Sequence, residues 1–213
     1  MAIRKSQLLL YAVTDRSWTG RQTLLEQIED ALRGGVTFLQ LREKDLDQEA
    51  FLREAIQVRE LCRRYQVSFI INDNVEVALR SGADGVHVGI EDAPVAEIRK
   101  VAGRDFIIGA TAKTVTQARL AEASGADYLG VGAVFPSPTK KNAIRITNEQ
   151  LNEICSSVSI PAVAIGGITR ENMAELKGSR IHGVAVVSAL FAAEDIRLAA
   201  EQLKREALSL VTG

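Results

Sequence analysis

The chain is poor in cysteine, proline and aromatic residues, and it has no surplus of either charge. Among its 213 residues, two are cysteines, Cys62 and Cys155. Two thiols cannot build a disulfide framework or a four-cysteine zinc site. Both lie in helix-like stretches and read as small apolar fillers. With four prolines and no low-complexity stretch, no proline-rich linker divides the chain. Its 26 Lys+Arg meet 27 Asp+Glu, a formal net charge of −1. That balance excludes a long-range pull toward nucleic acid or an anionic membrane. No stretch approaches the roughly 18–20 apolar residues of a membrane span. The N-terminal run MAIRKSQLLLYAVTD leads straight into Asp15 without the cleavage pattern of a secretory signal. What is present is a globular composition, 46% hydrophobic and 25% charged. A chain of this length buries roughly 70% of its unfolded surface, enough for a core without staples. The expectation is a cytoplasmic protein of one domain, residues 1–213, with small-molecule partners.

Short apolar runs alternate with helix-period segments from end to end. The predicted strands are 8–15, 37–42, 68–73, 85–89, 106–112, 128–134, 161–167 and 183–190. Predicted helices start near Thr23 and Gln48, and span 74–81, 94–102, 115–124, 147–158, 169–177 and 194–210. The strands are continuous Val/Ile/Leu/Ala/Gly runs, as expected for a parallel sheet buried on both faces. Gly34-Gly35, Gly82, Gly125 and Gly178 sit where helices end. Pro94 suits a first helical turn, and Thr147 and Thr169 suit N-caps. Gly-Ala-Asp recurs at 82–84 and 125–127, each time between a helix and a strand. Eight βα units predict an α/β fold, a single (β/α)8 TIM barrel, over the rival open doubly wound sheet.

In such a barrel the chemistry sits where the strands end. There the sequence places Gln40, Arg42 and Lys44, then Asn72 and Asp73, then His87 and Asp92, then Thr111 and Lys113. Ser137, Thr139, Lys140 and Lys141 follow the sixth strand, Gly166-Gly167 the seventh and Val187-Ser188 the eighth. Asp73 and Asp92 each read as an N-cap or, as a pair among cations, as oxygen ligands for Mg²⁺. Arg42, Lys44, Lys113, Lys140 and Lys141 read as a solvated rim or as the cradle of a multi-anionic ligand. Gly166-Gly167 is expected to open a helix whose backbone N–H groups meet an anion, with Val187-Ser188 completing the site. His87 is a core histidine or a polar lining residue. His182 falls on the other face and has no role. Trp18 either stacks on a ring at the mouth or covers the barrel.

The pieces YAVTD (11–15), QLREK (40–44), IND (71–73), GVHVG with Asp92, GADYLGVGAVFPSPTKK (125–141), AIGGI (164–168) and VVSAL (186–190) resemble the thiamine-phosphate synthase family. They run in order across nearly the whole chain. The resemblance implies a (β/α)8 barrel transferase of thiamine biosynthesis. Such an enzyme joins 4-amino-2-methyl-5-(diphosphooxymethyl)pyrimidine to 4-methyl-5-(2-phosphooxyethyl)thiazole with Mg²⁺, releasing diphosphate. It further implies pyrimidine-diphosphate contacts at Gln40, Arg42, Lys44, Asn72, Thr111 and Lys140, with Lys140, Thr111 and Arg42 catalytic. Mg²⁺ ligands are implied at Asp73 and Asp92, and thiazole-phosphate contacts at Ser137, Thr139, Gly167, Val187 and Ser188. The departures are Ile90 for a common Gln, Thr111-Ala112-Lys113-Thr114 for Ser-Ala-His-Thr, and Ser137-Pro138-Thr139 for Thr-x-Thr. Lys113 and the two aspartates speak against the sibling thiazole phosphate tautomerases, which use a histidine in that loop. Retention of Lys44 and Lys140 speaks against a non-catalytic thiamine phosphate sensor. Oligomerisation with copies of itself is compatible with the sequence.

Overall fold

A computed structural model describes residues 3–89, 94–137 and 144–212. Eight parallel strands close into a barrel in sequence order, with β1 hydrogen-bonded to β8. They are β1 Leu10–Val13, β2 Phe38–Leu41, β3 Ser68–Asn72, β4 Gly85–Val88, β5 Ile107–Ala112, β6 Tyr128–Gly132, β7 Ala162–Ile165 and β8 Val184–Val186. Around them lie α1 Leu24–Arg33, α2 Gln48–Arg64, α3 Val75–Ser81, α4 Val95–Ala102, α5 Val115–Ala123, α6 Asn148–Ser156, the short α7 Ser188–Phe191 and α8 Ile196–Thr212. The (β/α)8 barrel is the architecture expected, and all eight strands fall inside the predicted runs.

Burial explains the continuous apolar strands. One face of each packs outward on the helices, in a cluster that includes Leu39, Ile71, Val86 and Leu129. The other faces inward, where Leu8, Tyr11, Val13, Phe38, Ile70, Tyr128, Val163 and Ala185 fill the barrel. Both faces are dry, so alternation with polar residues is absent along most of each strand.

The helix termini follow local chemistry. Thr23 and Thr147 form capping boxes with Glu26 and Gln150, and Asp47, Asn74 and Thr114 accept from the third helical N–H. Gly35, Gly82, Gly125 and Gly178 all adopt positive φ, as helix-ending glycines do. The residue ahead of a strand also grips its neighbour. The side chains of Thr37, Asp84, Asp127 and His182 accept from the backbone N–H of Leu10, Phe69, Ile108 and Ala162, at 2.7–3.2 Å. The recurring Gly-Ala-Asp is therefore more than a turn: its aspartate ties adjacent strands at the barrel's N-terminal end.

Two expectations fail. The seventh helix, 169–177, is only a 3-10 turn at Met173–Leu176. Asn172 takes the Thr169 N–H on its side-chain oxygen and donates to the Gly167 carbonyl. These local bonds compete with a helical ladder, so Thr169 caps no α-helix there. The eighth strand stops at Val186 rather than 190, because Ser188 already starts α7, whose Phe191 N–H bonds to the Val187 carbonyl.

Candidate active site at the strand C-termini

Inward positions change character along the barrel axis. Phe38, Ile70 and Val163 are apolar, but one pleat further on the same faces carry Gln40 and Asn72. On β4 and β5 the inward side chains are His87 and Thr111, beside the bare backbone of Gly109 and Gly130. Their absent side chains leave room: a Cβ on Gly109 would collide with the Tyr128 ring and with His87. The result is a cavity of about 250 Å³ at the strand C-termini. Its walls include Gln40, Arg42, Lys44, Asn72, Asp73, Thr111, Ser137, Gly167, Val187 and Ser188, with Tyr11, His87, Lys113 and Gly166. The first ten of these thus come from six strand ends to one space, and His87 on β4 adds a seventh. Asp92, Thr139 and Lys140, with Ile90 and Lys141, lie outside the described residues.

The cationic side is built by β1 and β2 together. The Thr14 N–H donates to the Gln40 carbonyl, and the Arg42 N–H donates to the Thr14 hydroxyl at 2.9 Å. Asp15 stands 3.5 Å from the Arg42 guanidinium and orients it. Behind them Arg16 holds Glu43 at 2.7 Å and Glu54 at 2.5 Å, pinning the loop after β1 to the loop after β2. Among the described residues, Glu43 Oε1 and Glu54 Oε2 are buried without a donor. Burial, joined by the charge of Glu54, raises the Glu43 pKa against the pull of Arg16.

Asp73 is not a helix cap. Asn74 caps α3, accepting from the Val77 N–H at 2.9 Å, while Asp73 sits one residue earlier with φ 61°. Its N–H donates to the His87 carbonyl. The carboxylate is exposed at the mouth, a strained position of the kind that clusters at functional sites. Among the described residues no group of three His, Cys, Asp or Glu has metal-binding geometry.

On the opposite wall Gly166 and Gly167 have φ 102° and 63°. A Cβ on Gly167 would strike the Pro136 carbonyl, so this glycine lets two loops meet. No α-helix starts there, which removes the helix dipole expected at that loop and leaves the backbone N–H groups of the turn. Val187 and Ser188 begin α7 instead, whose first N–H groups have no intrahelical acceptor.

The remaining candidates sort themselves. His87 is both buried and lining: its ring contacts Thr111 Oγ1 at 3.1 Å and the Tyr128 hydroxyl at 2.9 Å. His182 stays at the other end of the barrel, half-buried on the Ala162 N–H. Trp18 packs against the outer core rather than lining the cavity. Cys62 and Cys155 are buried and free, and burial pushes Cys155 up to about 12, so both are inert fillers. Tyr11 and Tyr128 carry one sequence signal, a hydroxyl at an inward register inside an otherwise apolar strand; Asp15, just past β1, carries none.

Comparison with known proteins fits this geometry. The family described as thiamine monophosphate synthase matches residues 10–190. A thiamine-phosphate synthase of Clostridium beijerinckii is 45% identical over 201 residues, 94% of this chain and 96% of its own. Thiamine-phosphate synthase 2 of Streptococcus pneumoniae serotype 4 is 48% identical over 194 residues, 91% of this chain and 92% of its own. Among solved structures, thiamine phosphate pyrophosphorylase from Pyrococcus furiosus superposes with a TM-score of 0.90 at 39% identity, covering 98% and 99% of the two chains.

Proposed function

The chain belongs to the thiamine monophosphate synthase family, and on that premise we propose a division of labour for its barrel mouth. The activity is that of a thiamine-phosphate synthase, a transferase of thiamine biosynthesis. It joins the 4-amino-2-methylpyrimidine diphosphate to the thiazole phosphate, giving thiamine phosphate and diphosphate. One observation carries the assignment of parts: polar groups from seven strand ends share a single cavity.

Gln40, Asn72 and Thr111 hold the pyrimidine ring by its polar edges. Arg42, Lys44 and Lys140 hold the diphosphate, Arg42 in a bidentate grip that Asp15 keeps aimed. Ser137, Thr139, Gly167, Val187 and Ser188 hold the thiazole phosphate on the far wall. The pyrimidine–diphosphate bond breaks as negative charge grows on the departing group, so cations fixed in advance stabilise the transition state most. The amino group donates electron density to the methylene left behind. The thiazole nitrogen, placed by its phosphate, then attacks, and the apolar barrel excludes competing water. Arg42, Thr111 and Lys140 are the catalytic residues in this scheme, and no general acid or base is required.

Asp73 suits a Mg²⁺ site: a hard carboxylate oxygen, exposed at the mouth beside the diphosphate cradle. Asp73 and Asp92 would hold such an ion, since one or two carboxylates are its usual share of protein ligands. When bound it supplies positive charge to the leaving diphosphate. We read residues 1–213 as a single cytoplasmic domain with these two small molecules as partners and no nucleic acid or membrane. Among the described residues no helix is long and apolar enough to cross a bilayer. Association with further copies is compatible with this reading.

The test is thiamine phosphate formation by purified protein, omitting each substrate and Mg²⁺ in turn. Product should require all three. Asp73→Asn should raise the Mg²⁺ concentration for half-maximal rate by about tenfold or more, since metal-shell losses commonly cost that much. Product without the pyrimidine diphosphate, or an unchanged metal titration, overturns the corresponding assignment.

A further inference from the structure

A continuous line of hydrogen bonds crosses the barrel under the cavity. Gln40 Nε2 donates to the Tyr11 hydroxyl. The Tyr11 and Tyr128 hydroxyls are 2.8 Å apart, Tyr128 meets His87 Nδ1 at 2.9 Å, and His87 Nε2 meets Thr111 Oγ1 at 3.1 Å. Five strands contribute one member each. Tyr11 and Tyr128 are 1% and 0% exposed, and burial raises both phenol pKa values, so each carries one proton.

Counting protons sets the direction. An amide nitrogen can only donate, so the Tyr11 oxygen accepts from Gln40. The single Tyr11 proton then has one place to go, the Tyr128 oxygen, because a buried hydroxyl left without an acceptor is costly. Tyr128 in turn donates to His87 Nδ1. A neutral His87 therefore carries its proton on Nε2 and donates to Thr111. The two ends are left with opposite character: Gln40 offers its Oε1 as an acceptor, and Thr111 offers its hydroxyl proton as a donor. Turning the Gln40 amide over would reverse every link and exchange the two characters.

Resting on the pyrimidine site proposed above, we propose that Tyr128, with Tyr11 and His87, is a positioning residue that sets the hydrogen-bond polarity of Gln40 and Thr111. An aminopyrimidine presents an amino donor beside ring-nitrogen acceptors, which match an acceptor and a donor held in fixed sense. The 4-oxo analogue presents the reverse pattern along that edge. The relay thus selects the amino ring over its oxo counterpart through the fixed sense of its two ends, Gln40 and Thr111. Space for it is reserved at Gly109, where any side chain would displace both Tyr128 and His87.

Two measurements test this on the intact protein. First, the chain has only two histidines, so ¹⁵N spectra of labelled protein, with His182→Gln for assignment, read the His87 tautomer directly. The Nε2–H form is expected, and the Nδ1–H form overturns the stated direction. Second, calorimetry without thiazole phosphate gives the dissociation constants of the pyrimidine diphosphate and its 4-oxo analogue. Tyr128→Phe keeps the ring and removes one link, and should cut the amino-over-oxo preference by about tenfold, the scale of one hydrogen bond to a polar ligand group. Tyr11→Phe should do the same and serves if Tyr128→Phe fails to fold. A preference unchanged in a folded variant overturns the proposal. Because binding is read without turnover, a protein that keeps this preference yet makes no thiamine phosphate would refute the proposed reaction and not the relay.

Discussion

At Asp73 the chain adopts a left-handed backbone that costs a non-glycine residue about 1–2 kcal/mol. The neighbouring Asn74 would take the helix cap either way, so the strain serves to swing a carboxylate to the mouth. A second tension, this one buried, lies at Glu43. Because burial raises its pKa in the folded state above the ordinary 4.5, the fold takes up a proton more readily than the unfolded chain. The stability this gives is complete at acid pH and is lost as pH rises through the raised value. Glu43→Gln keeps an acceptor for Arg16 and gains an amide donor for Glu54. The variant should therefore melt higher than wild type near neutral pH, with the gap closing toward about pH 4. Melting curves across that range check it, and a gap that widens on acidification would refute the burial argument.

At the scale of elements, the C-terminal turns divide, on the function proposed above, between two substrates. The β7 turn depends on one conformation: Gly167 has φ 63° and lies against the Pro136 carbonyl. Gly167→Ala adds a left-handed strain of about 1–2 kcal/mol and a collision that forces the loops after β6 and β7 apart. The KM for thiazole phosphate should rise by about tenfold or more, roughly that energy converted at 1.4 kcal/mol per decade. The KM for pyrimidine diphosphate should stay within about twofold, since the site proposed for that substrate lies on β2, β3 and β5. Initial rates with each substrate varied separately decide it. An equal rise in both constants would mean the turn supports the whole barrel mouth.

Over the whole molecule the charge is nearly balanced, at −1, while Arg42, Lys44 and Lys113 share one cavity with Asp73. If the proposed site holds the substrates, a local field rather than the net charge draws these anions in. Added salt screens such attraction, since the Debye length shrinks from about 10 Å at 0.1 M to about 3 Å at 1 M. Between those concentrations kcat/KM for the diphosphate substrate should fall by about threefold or more, with kcat nearly constant. A flat profile would mean that close contacts alone hold the substrate.

Sequence and structure each account for different parts of this protein. Chain-local chemistry determined the eight strands, the caps at Thr23, Asp47, Thr114 and Thr147, and the glycine-ended helices, because periodicity and capping act within a few residues. The candidate site was legible for the same reason: strand order in a parallel barrel places Gln40, Arg42, Asn72 and Thr111 at one end wherever the chain closes. Other features needed the folded chain. The lost helix at 169–177 turned on side-chain bonds from Asn172 that helix propensity does not count. The Tyr11–Tyr128–His87 relay joins residues 41 and 117 positions apart, and only barrel closure sets their polar atoms within 3 Å. A single strand marks each tyrosine as inward and buried, but the partner that makes it polar work arrives from across the barrel.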